Sequence, residues 1–278
     1  MRLQAGVKCL LVLVLAAPLW GHAEETYWFE TAKQTHAKFK GTPGTFAHFG
    51  DSITVTMAFW AGLQWQRKNM NAETEAAYKL VKECMKPECW QQWKGAEYGN
   101  TGMMTIRWAH QNVEKWLQKL NPEVALIMFG TNDLGGLKAD EYEQKTREVV
   151  QKCLDNGTIV ILSTLPPKAG QLEKARSFAE VVKKITAEMK VPLCDYFGEC
   201  LKRRPDDWDG TMAKFKDRKG YDVLTLISGD GGHPSNPKEF SGDYSEEGLK
   251  TNGYTLRNYL VLMSYAEVIR KTLRPSTP

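Results

Sequence analysis

Residues 124–129 read Val-Ala-Leu-Ile-Met-Phe. A strand without one polar position cannot leave a face in water, so it belongs inside a sheet covered by helices above and below. The flanking sequence supplies that cover. Ile106, Val113, Trp116, Leu117 and Leu120 recur at helical spacing before the run, Asn121-Pro122 ends that helix, and Gly157 stops the next one. Strands are predicted at 45–49, 97–99, 124–129, 158–163 and 191–195. Helices are predicted at 54–68, 72–86, 103–120, 139–156, 172–190 and 253–273. Strands alternating with helices imply an α/β fold: a parallel sheet of about five strands in a three-layer αβα sandwich.

In such a sheet the turns after the strands gather at one edge, where ligands bind. Three of those turns carry reactive side chains. Gly50-Asp51-Ser52 closes the first strand, and a serine there is exposed and close to free backbone N–H groups. Gly130-Thr131-Asn132-Asp133 closes the 124–129 strand and can aim an amide into the crevice. Asp230-Gly231-Gly232-His233 puts a carboxylate within reach of an imidazole, which fixes the tautomer and leaves Nε2 free to take a proton. Taken singly, each block also fits a plain role: an Asp-Ser helix cap, a turn asparagine, a glycine turn with a surface histidine.

Together and in this order the three blocks resemble the SGNH/GDSL hydrolase family. A fourth block, Tyr98-Gly99-Asn100-Thr101-Gly102, lies where that family places an oxyanion-hole glycine. Gly102 is the better match because it leads into a helix, and Gly99 is the fallback. The resemblance spans roughly residues 44 to 270. It implies a flavodoxin-like fold, a Ser52 nucleophile, a His233 base oriented by Asp230, and an oxyanion hole from the N–H groups of Ser52 and Gly102 and the Asn132 amide. Two features depart from the family pattern. Ile53 replaces the family's leucine, and long irregular stretches at 198–222 and 235–251 border the expected site.

Other candidates for these roles have structural readings. His48 falls within the first strand and His110 on a helix. Asp51 and Asp133 suit turn-stabilising hydrogen bonds. Trp208 and Trp60 are the expected substrate-binding aromatics, Trp108 and Trp116 fitting helix faces.

The first 23 residues read as a secretory signal: Arg2 and Lys8, an apolar core from Cys9 to Trp20, then Gly21-His22-Ala23. Residues 24–278 are then expected to form one catalytic domain, secreted or periplasmic, with no stable membrane insertion after processing. The chain has 37 basic and 33 acidic residues. Without Arg2 and Lys8 the excess is about +2, which argues against nucleic acid as a partner. An oxidising compartment makes Cys84–Cys89 and Cys194–Cys200 reasonable bridges with Cys153 left over, although all five could equally stay reduced. The histidines and cysteines lack zinc-ligand spacing, so neither metal nor cofactor is expected.

The sequence thus points to a serine esterase cleaving short acyl esters, acetyl above all, on a small molecule or polysaccharide. The alternatives are a lipase or lysophospholipase, an O-acetyltransferase, and a non-catalytic binding or scaffold module of the same fold.

Overall fold

A computed structural model describes residues 27–274. The proposed signal segment lies outside the described residues. Four parallel strands, β1 (Phe46–Gly50), β2 (Val124–Met128), β3 (Ile159–Ser163) and β4 (Leu193–Cys194), pair in the order β1-β2-β3-β4. Every residue of β1, β2 and β3 is buried, His48 and Ser163 among their apolar neighbours included.

Alternate residues feed two separate cores. Phe46, Val124, Leu126, Met128, Ile159 and Ile161 face one core, with α1 (Phe29–His36), α2 (Ala72–Cys84) and the C-terminal helix α8 (Gly253–Val268). Ala47, Phe49, Ala125, Ile127, Val160 and Leu162 face the other, with α3 (Ile106–Leu120), α4 (Ala139–Asp155) and α5 (Leu172–Met189). The period-two alternation of strand side chains thereby yields the three layers. Two shorter helices, α6 (Tyr196–Arg203) and α7 (Glu246–Thr251), complete the set.

Three local expectations are corrected. The first is the strand at 97–99. Residues Pro87–Tyr98 instead form 3-10 turns, with Gly95 and Gly99 at φ 61° and 79°. A chain that turns left-handed twice in five residues cannot extend. Side chains of this segment bond the edge of β1 that has no partner strand: Phe46 N–H donates to Cys89 Sγ (3.4 Å), His48 N–H to Gln92 Oε1 (3.3 Å), and Gln92 Nε2 to Phe46 O (3.3 Å). One glutamine and one cysteine satisfy an edge that would otherwise invite pairing.

The second is the helix at 54–68, which shrinks to one turn at Asp51–Val55 and a 3-10 turn at Ala61–Gln64. Ile53-Thr54-Val55-Thr56 is β-branched throughout and a poor helix former, and α8 captures its backbone. Asn258 accepts from Trp60 N–H (2.7 Å) and donates to Ala58 O (3.0 Å), which holds Trp60 at φ 60°.

The third concerns the cysteines. Cys84, Cys89, Cys153, Cys194 and Cys200 are all free thiols. Cys89 is turned inward to the Phe46 N–H rather than toward Cys84. Cys194 interacts with Ser163 and Ser264, whereas Cys200 interacts with Tyr196, so neither bridge forms. Burial pushes the Cys89 and Cys194 thiols up to about 11 and Cys153 up to about 12, which makes them inert packing groups.

Candidate active site

Gly50 on β1 pairs in register with Met128 on β2, so the chain leaves the sheet at one edge toward both Ser52 and Asn132. Gly50 is obligatory here, because a Cβ would lie 2.3 Å from Thr54 Oγ1 and 2.8 Å from Met128 O. Asp51 is wholly buried and its Oδ1 accepts from Ile53 N–H (3.0 Å), tightening the turn and leaving Ser52 at its outer corner. From α8, the fully buried Arg257 donates to Ile53 O (2.7 Å) and Thr54 Oγ1 (3.0 Å), with its guanidinium 3.6 Å over the Phe59 ring. A buried cation costs several kcal/mol of desolvation unless its donors find acceptors. The Ser52 turn supplies two of them and is held rigid in return.

The turn after β2 is built from the opposite face. Tyr142 donates to Phe129 O (2.9 Å), and Gly130 stands at φ 129°. Both oxygens of Asp133 accept from Ile106 N–H at 3.1 Å, which docks the start of α3 on this turn. Asn132 Nδ2 donates to Met104 O (3.0 Å), and Met104 N–H donates to Gly102 O (3.0 Å). The Gly102 loop is therefore carried to the Asn132 side chain by two consecutive hydrogen bonds.

Asp230 and His233 sit on a tight antiparallel hairpin. Ile227 pairs with Pro234, Ser228 N–H donates to His233 O (2.8 Å), and Gly231 turns at φ 75°. Ala169, after β3, donates its N–H to Gly231 O (2.8 Å) and seats the hairpin on the sheet edge. The outcome is a continuous row: Ser52 Oγ to His233 Nε2 at 2.9 Å, and His233 Nδ1 to Asp230 Oδ2 at 2.8 Å.

The electrostatics follow from this geometry. Burial works against a charged Asp230, but its Oδ1 also accepts from Ser228 Oγ (2.7 Å), Gly232 N–H (2.9 Å) and His233 N–H (2.9 Å). Four hydrogen bonds hold the carboxyl well below the usual range. The bonded Asp230 carboxylate raises His233 above ordinary imidazole values against partial burial; Asp51 adds to the rise and Lys168 opposes it. Burial lifts Asp51 to about 6, despite its Ile53 hydrogen bond and the Arg257 and His233 charges, and lifts Asp133 to about 6 as well.

Among the described residues, nothing accepts from the backbone N–H of Ser52 or Gly102, and one hydrogen of the Asn132 amide is unengaged. Gly99, the fallback, donates its N–H to Ala96 O, and a Cβ there would strike Trp116 at 2.3 Å. At Gly102 a Cβ would meet nothing within 4 Å. The glycine open to a ligand is Gly102.

Neither tryptophan expected to bind substrate is open to a ligand, because both are buried. Trp60 is completely buried and stacks on Trp90 (5.1 Å) in the first core, and Trp208 is 8% exposed. Apolar packing claimed the first, and the second is folded under the 204–227 loop, where its carbonyl accepts from Ile227 N–H. His48 is wholly buried, and His110 pairs with Glu148 across α3 and α4. Several neighbours of the site went unread in the sequence. The Tyr221 ring lies edge-on to His233 (5.9 Å), Lys168 Nζ donates to Thr131 O (3.2 Å), and Ser228 bonds Asp230. Only Ser228, two residues from Asp230, had a local signal. Arg257 went unread as well, although a lone cation within an apolar helix is a signal that could have marked it as a buried charge.

The profile of the GDSL-like lipase/acylhydrolase family matches residues 48–236. No curated protein sequence matches the chain. Among solved structures the chain is similar to a G-D-S-L family protein from Desulfitobacterium hafniense DCB-2 (14% identity, 79% of this chain and 98% of that one, TM-score 0.51). It is also similar to the lipase/acylhydrolase from Enterococcus faecalis (14%, 80% and 95%, 0.50) and to the psychrotrophic esterase EstA from Pseudoalteromonas sp. (14%, 82% and 99%, 0.50). At this identity the likeness speaks to the fold. The family match spans the Ser52 turn, the Asn132 turn and the Asp230–His233 hairpin, and the chain belongs to the GDSL-like lipase/acylhydrolase family of hydrolases.

Proposed function

We propose that this chain is an exported serine esterase that removes short acyl groups, acetyl above all, from carbohydrate esters. The observation carrying the reading is the Ser52–His233–Asp230 row. A serine hydroxyl is a weak nucleophile until a base takes its proton. His233 Nε2 is in reach of that proton, and Asp230 stabilises the imidazolium that results. Attack places negative charge on the ester carbonyl oxygen, which the free donors of Ser52, Gly102 and Asn132 would meet. His233 then protonates the departing alcohol. Water, deprotonated by the same nitrogen, hydrolyses the acyl-Ser52 ester.

The short acyl group is supported by polar and open surroundings: Lys168 Nζ reaches Thr131 O, Asn132 presents its amide, and Gly102 faces open space. A panel of p-nitrophenyl esters and acetylated polysaccharides tests the reading. Activity should be highest on acetyl and butyryl esters and should release acetate from the polysaccharide. A maximum at octanoyl or longer would favour a lipase, and acyl transfer to an added sugar outpacing hydrolysis would favour a transferase.

Asn132 has a role separable from binding, because its free amide hydrogen meets charge that exists only after attack. Asn132→Ala should lower kcat and kcat/KM together by about 10²–10³-fold with KM little changed. A raised KM with kcat intact would reduce Asn132 to its Met104 hydrogen bond.

A further inference from the structure

The chain after His233, a loop at 236–244 followed by α7, has no assigned purpose in the chemistry above, yet it is firmly built. Lys68 N–H donates to Gly242 O (2.8 Å), and Tyr244 N–H returns the bond to Lys68 O (2.9 Å). Asn69 Nδ2 donates to Asp243 Oδ1 (2.9 Å), and Ser241 donates to the Gln66 side chain. Gly242 stands at φ 64°, where a Cβ would lie 2.1 Å from Gln66 O, so only glycine permits this close approach. The 236–244 loop is thus clasped to the segment that follows the nucleophile turn.

Between the two lies a cleft of about 480 Å³. Met57 and Ala58, from the chain leaving Ser52, form one wall, and Asn236 and Lys238, from the chain leaving His233, form the other. Asn236 N–H also donates to the carbonyl of Tyr221, whose ring touches His233. Both walls of the cleft are therefore continuous with the two residues that would perform the reaction. At its lip Trp65 is 60% exposed and Met57 53%, beside the polar side chains of Gln66 and Ser241.

A large indole left in water next to hydrogen-bonding groups has a chemical meaning. The C–H face of a saccharide ring is apolar with a slight positive edge, which suits the negative face of the indole, while its hydroxyls need polar partners at the rim. We infer that this cleft is the subsite for the saccharide ring of the ester's alcohol portion, with Trp65 as its stacking platform. The inference rests on the carbohydrate-ester reading above and assigns residues to it. The 235–251 insertion, clasped through Gly242, then serves to form the second wall.

The test compares Trp65→Ala with the unaltered protein on p-nitrophenyl acetate and on O-acetylated xylo-, cello- and chito-oligosaccharides. The ratio of kcat/KM for the best oligosaccharide to that for p-nitrophenyl acetate should fall about tenfold, carried by KM. Trp65→Phe, which keeps a ring, should recover part of the loss. If the unaltered protein cleaves an oligosaccharide and neither variant shifts the ratio, the subsite is wrong and the carbohydrate-ester reading stands. If it cleaves p-nitrophenyl acetate but no acetylated sugar, both fall. A loss confined to long-chain p-nitrophenyl esters would make the cleft an acyl pocket and overturn the inference. Should Trp65→Ala fail to fold, Trp65→Phe and Trp65→Gln decide: an unchanged ratio in both overturns the subsite.

Discussion

Replacing Ser52 by alanine should reduce ester hydrolysis by about 10⁶-fold, to the level set by binding and the remaining polar groups. The expected size follows from the row's construction. His233 Nε2 has Ser52 Oγ as its hydrogen-bonded partner at 2.9 Å, and no second hydroxyl in the row can receive the acyl group. The fold should be indifferent to the change. Ser52 is half-buried, its side chain makes one hydrogen bond, and alanine is compatible with a turn held by Asp51, Ile53 and Arg257. Stability should therefore shift by no more than about 0.5 kcal/mol, or roughly 1 °C in Tm for a chain of this size. A fluorophosphonate, which reports an activated serine, should label the unaltered protein at Ser52 alone and leave the variant unmodified by intact mass. Retained turnover in the variant, or label on another residue, would remove Ser52 from the mechanism.

The parts of this site legible in the sequence share one property: each is local. Gly50-Asp51-Ser52, Gly130-Thr131-Asn132-Asp133 and Asp230-Gly231-Gly232-His233 are short blocks whose reactive groups lie a few residues apart, and the parallel topology brings the strand ends together without further information. What escaped is non-local. The 54–68 segment opens on a β-branched run that disfavours a helix, and the rest of its course was decided by Asn258 and Arg257, some two hundred residues away. The 97–99 strand was lost to two left-handed glycines and to a glutamine that bonds β1 without being a strand. Trp60 and Trp65, five residues apart in one segment, are buried and exposed respectively for the same reason. Once Asn258 fixes Trp60 at positive φ, its ring enters the core against Trp90 and the later indole is left outside. No periodicity in that segment says which tryptophan turns inward.

Asp230→Asn should lower kcat/KM by about 10⁴-fold. The variant is nearly isosteric, and its amide oxygen can keep the place of Oδ1, still accepting from Ser228, Gly232 and the His233 N–H. The hairpin should therefore persist. The amide nitrogen then replaces Oδ2 and presents a donor to His233 Nδ1 at what was a 2.8 Å acceptor contact. To avoid donor against donor, the imidazole must carry its proton on Nε2, the atom that faces Ser52. A base protonated there cannot take the serine hydroxyl's proton. The pH profile distinguishes this from simple loss of structure. Only neutral His233 is a base, so activity rises with pH through its pKa. The Asp230 hydrogen bond is the largest influence raising that pKa, with Asp51 adding to it and Lys168 opposing it. Removing the Asp230 charge should shift the acid limb of kcat/KM to lower pH, while the plateau falls. A variant that lost activity with its acid limb unmoved, or moved upward, would show that Asp230 serves the hairpin and not the imidazole.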